Sequence, residues 1–161
     1  MVRWGPIAIF QGMPFSDKYQ VKEDCVVSTD GTFAIVAKGE GSTASAFPTN
    51  IALYPYEEDL KCTAVIEDSE VAAYQITGVT IPSEQRYAAE SFPAESFLMA
   101  AVTDNLSDYT LNFKNLCGAL KLQLKGTAKV KKIELKGNDG EPLSGKELSQ
   151  STLTGPLHRS Q

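Results

Sequence analysis

The chain has one histidine, His158, one tryptophan and three cysteines in 161 residues. The shortage of imidazole removes most acid–base and nucleophilic chemistry. A hydrolytic triad needs a base held in place by structure, and His158 stands near the end of the sequence. Cys25, Cys62 and Cys117 lie far apart and form no Cys-x-x-Cys pair, so the close ligand spacing of a zinc site is missing. Apolar neighbours surround them, as in Cys25-Val26-Val27 and Leu116-Cys117-Gly118. That setting suits buried free thiols, with one disulfide open to an exported form. Positive charge is also short: 15 Lys and Arg stand against 20 Asp and Glu, for a net charge of −5. A phosphate-binding surface needs the reverse, so nucleic acid is not an expected partner. The densest basic cluster, Lys129, Lys131 and Lys132, reads as a solvated sheet face. No apolar run is long enough to cross a bilayer as a helix. The opening Met1-Val2-Arg3-Trp4-Gly5-Pro6 lacks the charged-then-apolar pattern of a secretory signal. Read literally it places the chain in the cytosol; read as a fragment it leaves export open.

Motifs that bind small molecules are equally scarce. Gly39-Glu40-Gly41 has no helix after it of the kind a phosphate-cradling loop requires. Glycosidases use two carboxylates, and acidic residues do cluster at Glu23/Asp24, Glu57/Glu58/Asp59 and Glu67/Asp68. Sequence neighbours on a strand or turn point apart, however, so these read as solvated turns. Asp104, Asn105 and Asp108, and likewise Asn138, Asp139 and Glu141, offer oxygen ligands for calcium. Neither group has the spacing of a calcium loop with its glycine, and Asn138-Asp139-Gly140-Glu141 fits a hairpin turn better. Trp4, Tyr54, Tyr56, Tyr74 and Tyr87 are the candidates for a sugar-stacking platform, although aromatics on strands more often pack into a core. No catalytic, cofactor or metal residue is assigned.

What the sequence does have is strands. Short runs rich in Val, Ile, Phe and Tyr are punctuated by Gly, Pro, Asn, Asp and Ser. Strands are expected at residues 6–10, 18–22, 25–28, 32–38, 50–56, 62–66, 73–81 and 97–103, with an Asp30-Gly31 hairpin turn between the third and fourth. Residues 83–93 read as a long connection with a helical turn at 88–91. Residues 144–152 are the best helix candidate, and 155–161 read as a mobile tail.

The clearest pattern runs from residue 111 to 137. Tyr109, Leu111 and Phe113 alternate with Thr110, Asn112 and Lys114; Leu120, Leu122 and Leu124 alternate with Lys121, Gln123 and Lys125; Ile133 and Leu135 alternate with Lys132, Glu134 and Lys136. Side chains on a strand point to opposite faces with period two, so each segment has an apolar and a polar face. The expectation is a three-stranded antiparallel meander with one side wet, and two such sheets burying their apolar faces together as a sandwich. At this length one domain is expected, over residues 1–150, with 151–161 as a C-terminal tail.

Several segments together resemble the fimbrillin family, including its Mfa-like members, which are surface pilins and related lipoproteins of Bacteroidia. They are Trp4-Gly5-Pro6-Ile7-Ala8-Ile9-Phe10, where Pro6 stands at the family's usual Asp; Ala52-Leu53-Tyr54-Pro55-Tyr56; Ile81-Pro82-Ser83-Glu84-Gln85-Arg86-Tyr87; Phe97-Leu98-Met99-Ala100-Ala101; Leu111-Asn112-Phe113-Lys114-Asn115-Leu116-Cys117-Gly118-Ala119-Leu120-Lys121-Leu122; and Ile133-Glu134-Leu135-Lys136-Gly137-Asn138 with Leu143-Ser144-Gly145. Their order matches the family's and they cover residues 4–146.

The resemblance implies an all-β, transthyretin-like antiparallel β-sandwich, with room here for the first of the two domains many members have. It also implies a non-enzymatic fimbrial structural or accessory subunit at the cell surface and outer membrane, exported as a lipoprotein. Such a subunit acts in adhesion by strand-mediated assembly. Its expected partners are other pilin subunits through open sheet edges, and host surface proteins or glycans; the isolated chain can then be monomeric. The alternative function is a surface-lipoprotein module that binds host or dietary glycans.

Overall fold

Three continuous apolar runs, Ile-Ala-Ile-Phe, Ile-Ala-Leu-Tyr and Met-Ala-Ala-Val, set the centre of the fold. A strand covered on both faces has no polar side to show, so its sequence does not alternate. The structure is a computed structural model and describes residues 5–14, 16–21, 33–37, 47–86, 96–145 and 151–153. In it these runs form β1 (Ile7–Gln11), β4 (Asn50–Tyr54) and β7 (Met99–Val102), side by side. With β2 (Asp17–Val21), β3 (Phe33–Ala37) and the two-residue β8 (Lys114–Asn115) they make a six-stranded sheet ordered β3-β2-β1-β4-β7-β8. A second sheet contains β5 (Lys61–Glu67), β6 (Glu70–Thr77) and β9 (Ser151–Leu153), in that order. Every pairing is antiparallel, and no α-helix occurs among the described residues.

The two sheets share one core. Ala8 and Phe10 of β1, Ile51 and Leu53 of β4, and Ala100 of β7 are buried together with Cys62, Tyr74 and Ile76 of the smaller sheet. Phe47 meets Tyr74 edge-on, with ring centroids 5.5 Å apart, the geometry that the ring quadrupoles favour. The alternate residues Ile7, Ile9, Ala52, Tyr54, Met99 and Ala101 are buried on the opposite face of the larger sheet, with Leu111 and Phe113 packed against them. A hydrogen bond from the Cys62 N–H to the Pro14 carbonyl, at 3.0 Å, links β5 to the β1–β2 connection. The fold is therefore an all-β, sandwich-like arrangement of antiparallel sheets.

The β5–β6 hairpin turns at Asp68 and Ser69, with φ of 50° and 69°. Positive φ at both central residues is the type I′ geometry whose twist matches the flanking strands. Its sequence signal is the polar Glu67-Asp68-Ser69-Glu70 between two apolar runs. The expected strands at 62–66 and 73–81 become this hairpin. The second strand lies nearer the turn, and Ile81 is left in an isolated bridge to Gly145.

Three expectations are corrected. The meander at 111–137 is not formed: only Lys114–Asn115 is a strand, and residues 118–136 pair with nothing described. Alternation marks a chain with two unlike faces but does not supply the neighbour that a ladder needs. The helix expected at 144–152 is replaced at its end by β9, whose Ser151 and Thr152 pair with Ile76 and Gln75, so the first residues of the expected tail belong to a sheet. Asn138 and Asp139 do form a turn, but no strands flank it. The expectations at 25–28, Asp30-Gly31, 88–91 and 155–161 lie outside the described residues.

Candidate interaction surface

Several of the described candidate residues have structural roles. Cys62 is fully buried and free, and burial pushes its thiol up to about 12. Cys117 is also free and half-buried against the same core. Cys25, Glu23, Asp24, Trp4, Tyr87 and His158 lie outside the described residues. Among the described residues no three His, Cys, Asp or Glu side chains converge as metal ligands would.

The carboxylates hold turns. Glu57 Oε1 accepts the Thr80 N–H at 2.8 Å, tying the β4–β5 connection to the chain after β6. Glu58 and Asp59 occupy the turn beside it, and Gly78 runs against the Asp59 backbone so closely that no side chain fits there. Glu141 accepts the Asp139 N–H at 2.9 Å, and hydrogen bonds from backbone N–H groups lower its pKa.

Asp104, Asn105 and Asp108 lie in one loop, and two of their side chains accept backbone N–H groups within it. The side chain of Asn105 accepts the Ser107 N–H and that of Asp108 the Thr110 N–H, each at 2.9 Å. Asn50 closes the loop from β4 by donating its amide to the Leu106 and Asp108 carbonyls at 3.1 and 2.8 Å. Buried Thr49 donates to the Thr103 carbonyl, and the Thr103 hydroxyl accepts the Asn50 N–H at 3.0 Å. Buried polar groups require partners, and this network supplies them.

No aromatic platform assembles from the described candidates. Tyr54 and Tyr74 are in the two cores. Tyr56 is half-buried, with the Lys18 ammonium 4.8 Å from its ring centroid.

What remains is a surface with unmet needs. Leu120, Leu122, Leu124, Val130, Ile133 and Leu135 are between 50 % and 64 % exposed. The backbone from 117 to 137 makes no main-chain hydrogen bond to any described residue. The stretch is anchored at both ends. The Leu116 N–H donates to the Leu98 carbonyl at 2.9 Å, and Gly145 exchanges two hydrogen bonds with Ile81. Contiguous exposed apolar side chains mark interaction surfaces in soluble proteins. Sequence reasoning named every one of these leucines and put them in a core; what it lacked was the missing neighbour.

Lys121, Lys125, Lys129 and Lys131 make no ion pair with any described residue, whereas Glu134 lies 3.8 and 3.9 Å from Lys132 and Lys136. All are solvent-exposed, so the two ion pairs contribute little. Away from this region three other large apolar side chains among the described residues stand out in solvent: Tyr109 and Leu143 on loops, and Ile66 on strand β5, 58 % exposed. In β5 no strand pairs on the side away from β6 among the described residues. No family model, curated protein or solved structure matches the chain.

Proposed function

We propose that this chain is a non-enzymatic subunit of a surface fimbria, structural or accessory, that works in adhesion through strand-mediated contacts with other subunits. Two lines support the reading. The ordered segments between residues 4 and 146 resemble fimbrillins, and the antiparallel two-sheet architecture is compatible with the transthyretin-like sandwich that resemblance implies. The observation that carries it is the 119–136 stretch: strand-patterned, apolar on alternate positions, exposed and unpaired. Such a segment gains main-chain hydrogen bonds and buried area only by meeting another surface, which is the physics of β-augmentation. Localisation at the outer membrane and cell surface belongs to the same proposal.

The test is direct labelling. Antibody raised against the purified chain should decorate filaments on intact source cells by immunogold microscopy, and brief protease treatment of those cells should remove the signal. Signal confined to the cell interior, with no filament labelling, overturns the reading.

A further inference from the structure

Two places where exposed apolar side chains meet charge on this molecule are of opposite sign. Residues 119–136 hold six lysines and one glutamate, a net charge of +5, so the remainder of the chain carries −10 within the total of −5. The second part is the far end of β5. There Val65 is half-buried, Ile66 is exposed, and Glu67, Asp68 and Glu70 crowd the hairpin tip. Glu67 and Glu70 are direct cross-strand partners. Like charges placed opposite each other in a ladder repel, and no described lysine or arginine pairs with them. The tip thus gathers three carboxylates with no described cation beside them, next to an exposed isoleucine and a strand edge that pairs with no other described strand.

The 119–136 stretch leaves from β8, at one edge of the larger sheet, whereas β5 is tied by Cys62 and Pro14 to the β1–β2 connection. No described ion pair joins the two parts within one molecule, so their complementary charges are open to a second copy. We infer that residues 119–136 of one copy dock along the free edge of β5 in a second copy, setting the stretch's leucines against Ile66 and its lysines against Glu67, Asp68 and Glu70.

This contact is heterologous: each copy offers its basic stretch and its acidic edge to different neighbours. Such contacts propagate into an open chain unless the rotation closes a ring. The inference rests on the assembly reading for its biological sense and names the surfaces that assembly would use.

Charge reversal tests it on the full chain. Lys121→Glu with Lys125→Glu cuts the stretch from +5 to +1 and sets two carboxylates against the acidic edge. Glu67→Lys with Glu70→Lys sets a basic edge against the basic stretch. Sedimentation equilibrium from micromolar to millimolar should show self-association of the unmodified chain that weakens with salt. Each double variant alone should associate at least about tenfold more weakly. An equal mixture of the two variants should recover association, because each reversed side chain again faces one of opposite charge. That recovery also shows that both variants are folded.

A chain that stays monomeric throughout, variants that associate as well as the parent, or a mixture that fails to recover would each overturn the inference. The fimbrial reading fails separately. Association that follows the charge swap, without filament labelling on cells, sinks the reading and leaves the contact. Labelled filaments that incorporate both charge-reversed variants as well as the parent sink the contact and leave the reading.

Discussion

The side-chain amide of Asn50, at the start of β4, donates to the main-chain carbonyl of Asp108 at 2.8 Å, across 58 residues of chain. The same amide reaches Leu106, and the Asn50 backbone is held by Thr103. One side chain thereby fixes the loop that carries the chain out of β7. Asn50→Ala should leave those carbonyls without their donor in a partly buried site, at a cost of about 1–3 kcal/mol. Urea denaturation at equilibrium measures it; a loss under about 0.5 kcal/mol would mean that water replaces the amide without penalty.

Gly78 has φ of +89°, and a Cβ there would lie 2.3 Å from the Asp59 carbonyl oxygen. Both the backbone conformation and the close approach exclude a side chain, and backbone atoms cannot rotate out of the way. Gly78→Ala should destabilise by about 2–4 kcal/mol, read from the same denaturation experiment. A neutral outcome would show that the β4–β5 turn moves freely against the end of β6.

Alkaline pH should weaken the fold through Cys62. Burial raises its thiol from the usual 9.0 to about 12, so the folded state holds the proton more tightly than the unfolded chain. The resulting stability is complete below pH 9.0 and is lost as pH rises toward about 12, with a slope of up to about 1.4 kcal/mol per pH unit. Tyr74, raised chiefly by burial and also by Cys62, adds loss of the same sign above its ordinary value. Denaturation at several pH values should show this decline, and Cys62→Val should flatten it. An unchanged slope in the variant would remove Cys62 as the cause.

The two described thiols should differ in reactivity. Thiolate is the nucleophile, and Cys62 is both buried and held protonated. In a Cys25→Ser background, a disulfide reagent at neutral pH should label half-buried Cys117 first and Cys62 only as the protein unfolds. Equal rates would place Cys62 near the surface.

Leu122 and Leu53 should respond in opposite ways. Leu53 is fully buried in the shared core and Leu122 is 50 % exposed. Leu53→Ala should cost about 2–5 kcal/mol, whereas Leu122→Ser, measured in dilute solution, should stay within about 0.5 kcal/mol. A large loss at Leu122 would restore the alternating segment to the core of a single molecule.

That contrast shows what the sequence made legible. The runs at Ile7, Ile51 and Met99 were readable because burial on both faces leaves no polar position, and the structure sets all three at the centre of the larger sheet. The alternation from Leu120 to Leu124 was readable too, but it describes only the segment's own two faces. Pairing depends on a partner strand, register and turn, and none of these is written in the segment itself. A solvated turn at Glu67/Asp68 was legible, but its tight hairpin geometry was not, because the strongest hairpin signals carry glycine, while here two non-glycine residues take the positive φ angles. The turn role expected of acidic residues is seen at Glu57 and Glu141, which accept backbone N–H groups.

The anchoring of the 119–136 stretch has a mechanical meaning. Its near end is held through Leu98, beside β7 in the larger sheet, and its far end through Ile81, after β6 in the smaller one. It is a handle fixed at two points, so a pull on it divides between both sheets instead of peeling one strand from an edge. A protease that cuts at its lysines would sever the handle and leave the body joined, because β9 still pairs with β6 and Gly145 still grips Ile81. The nicked protein would run as one species under native conditions and as two when denatured, with its capacity to bear load gone.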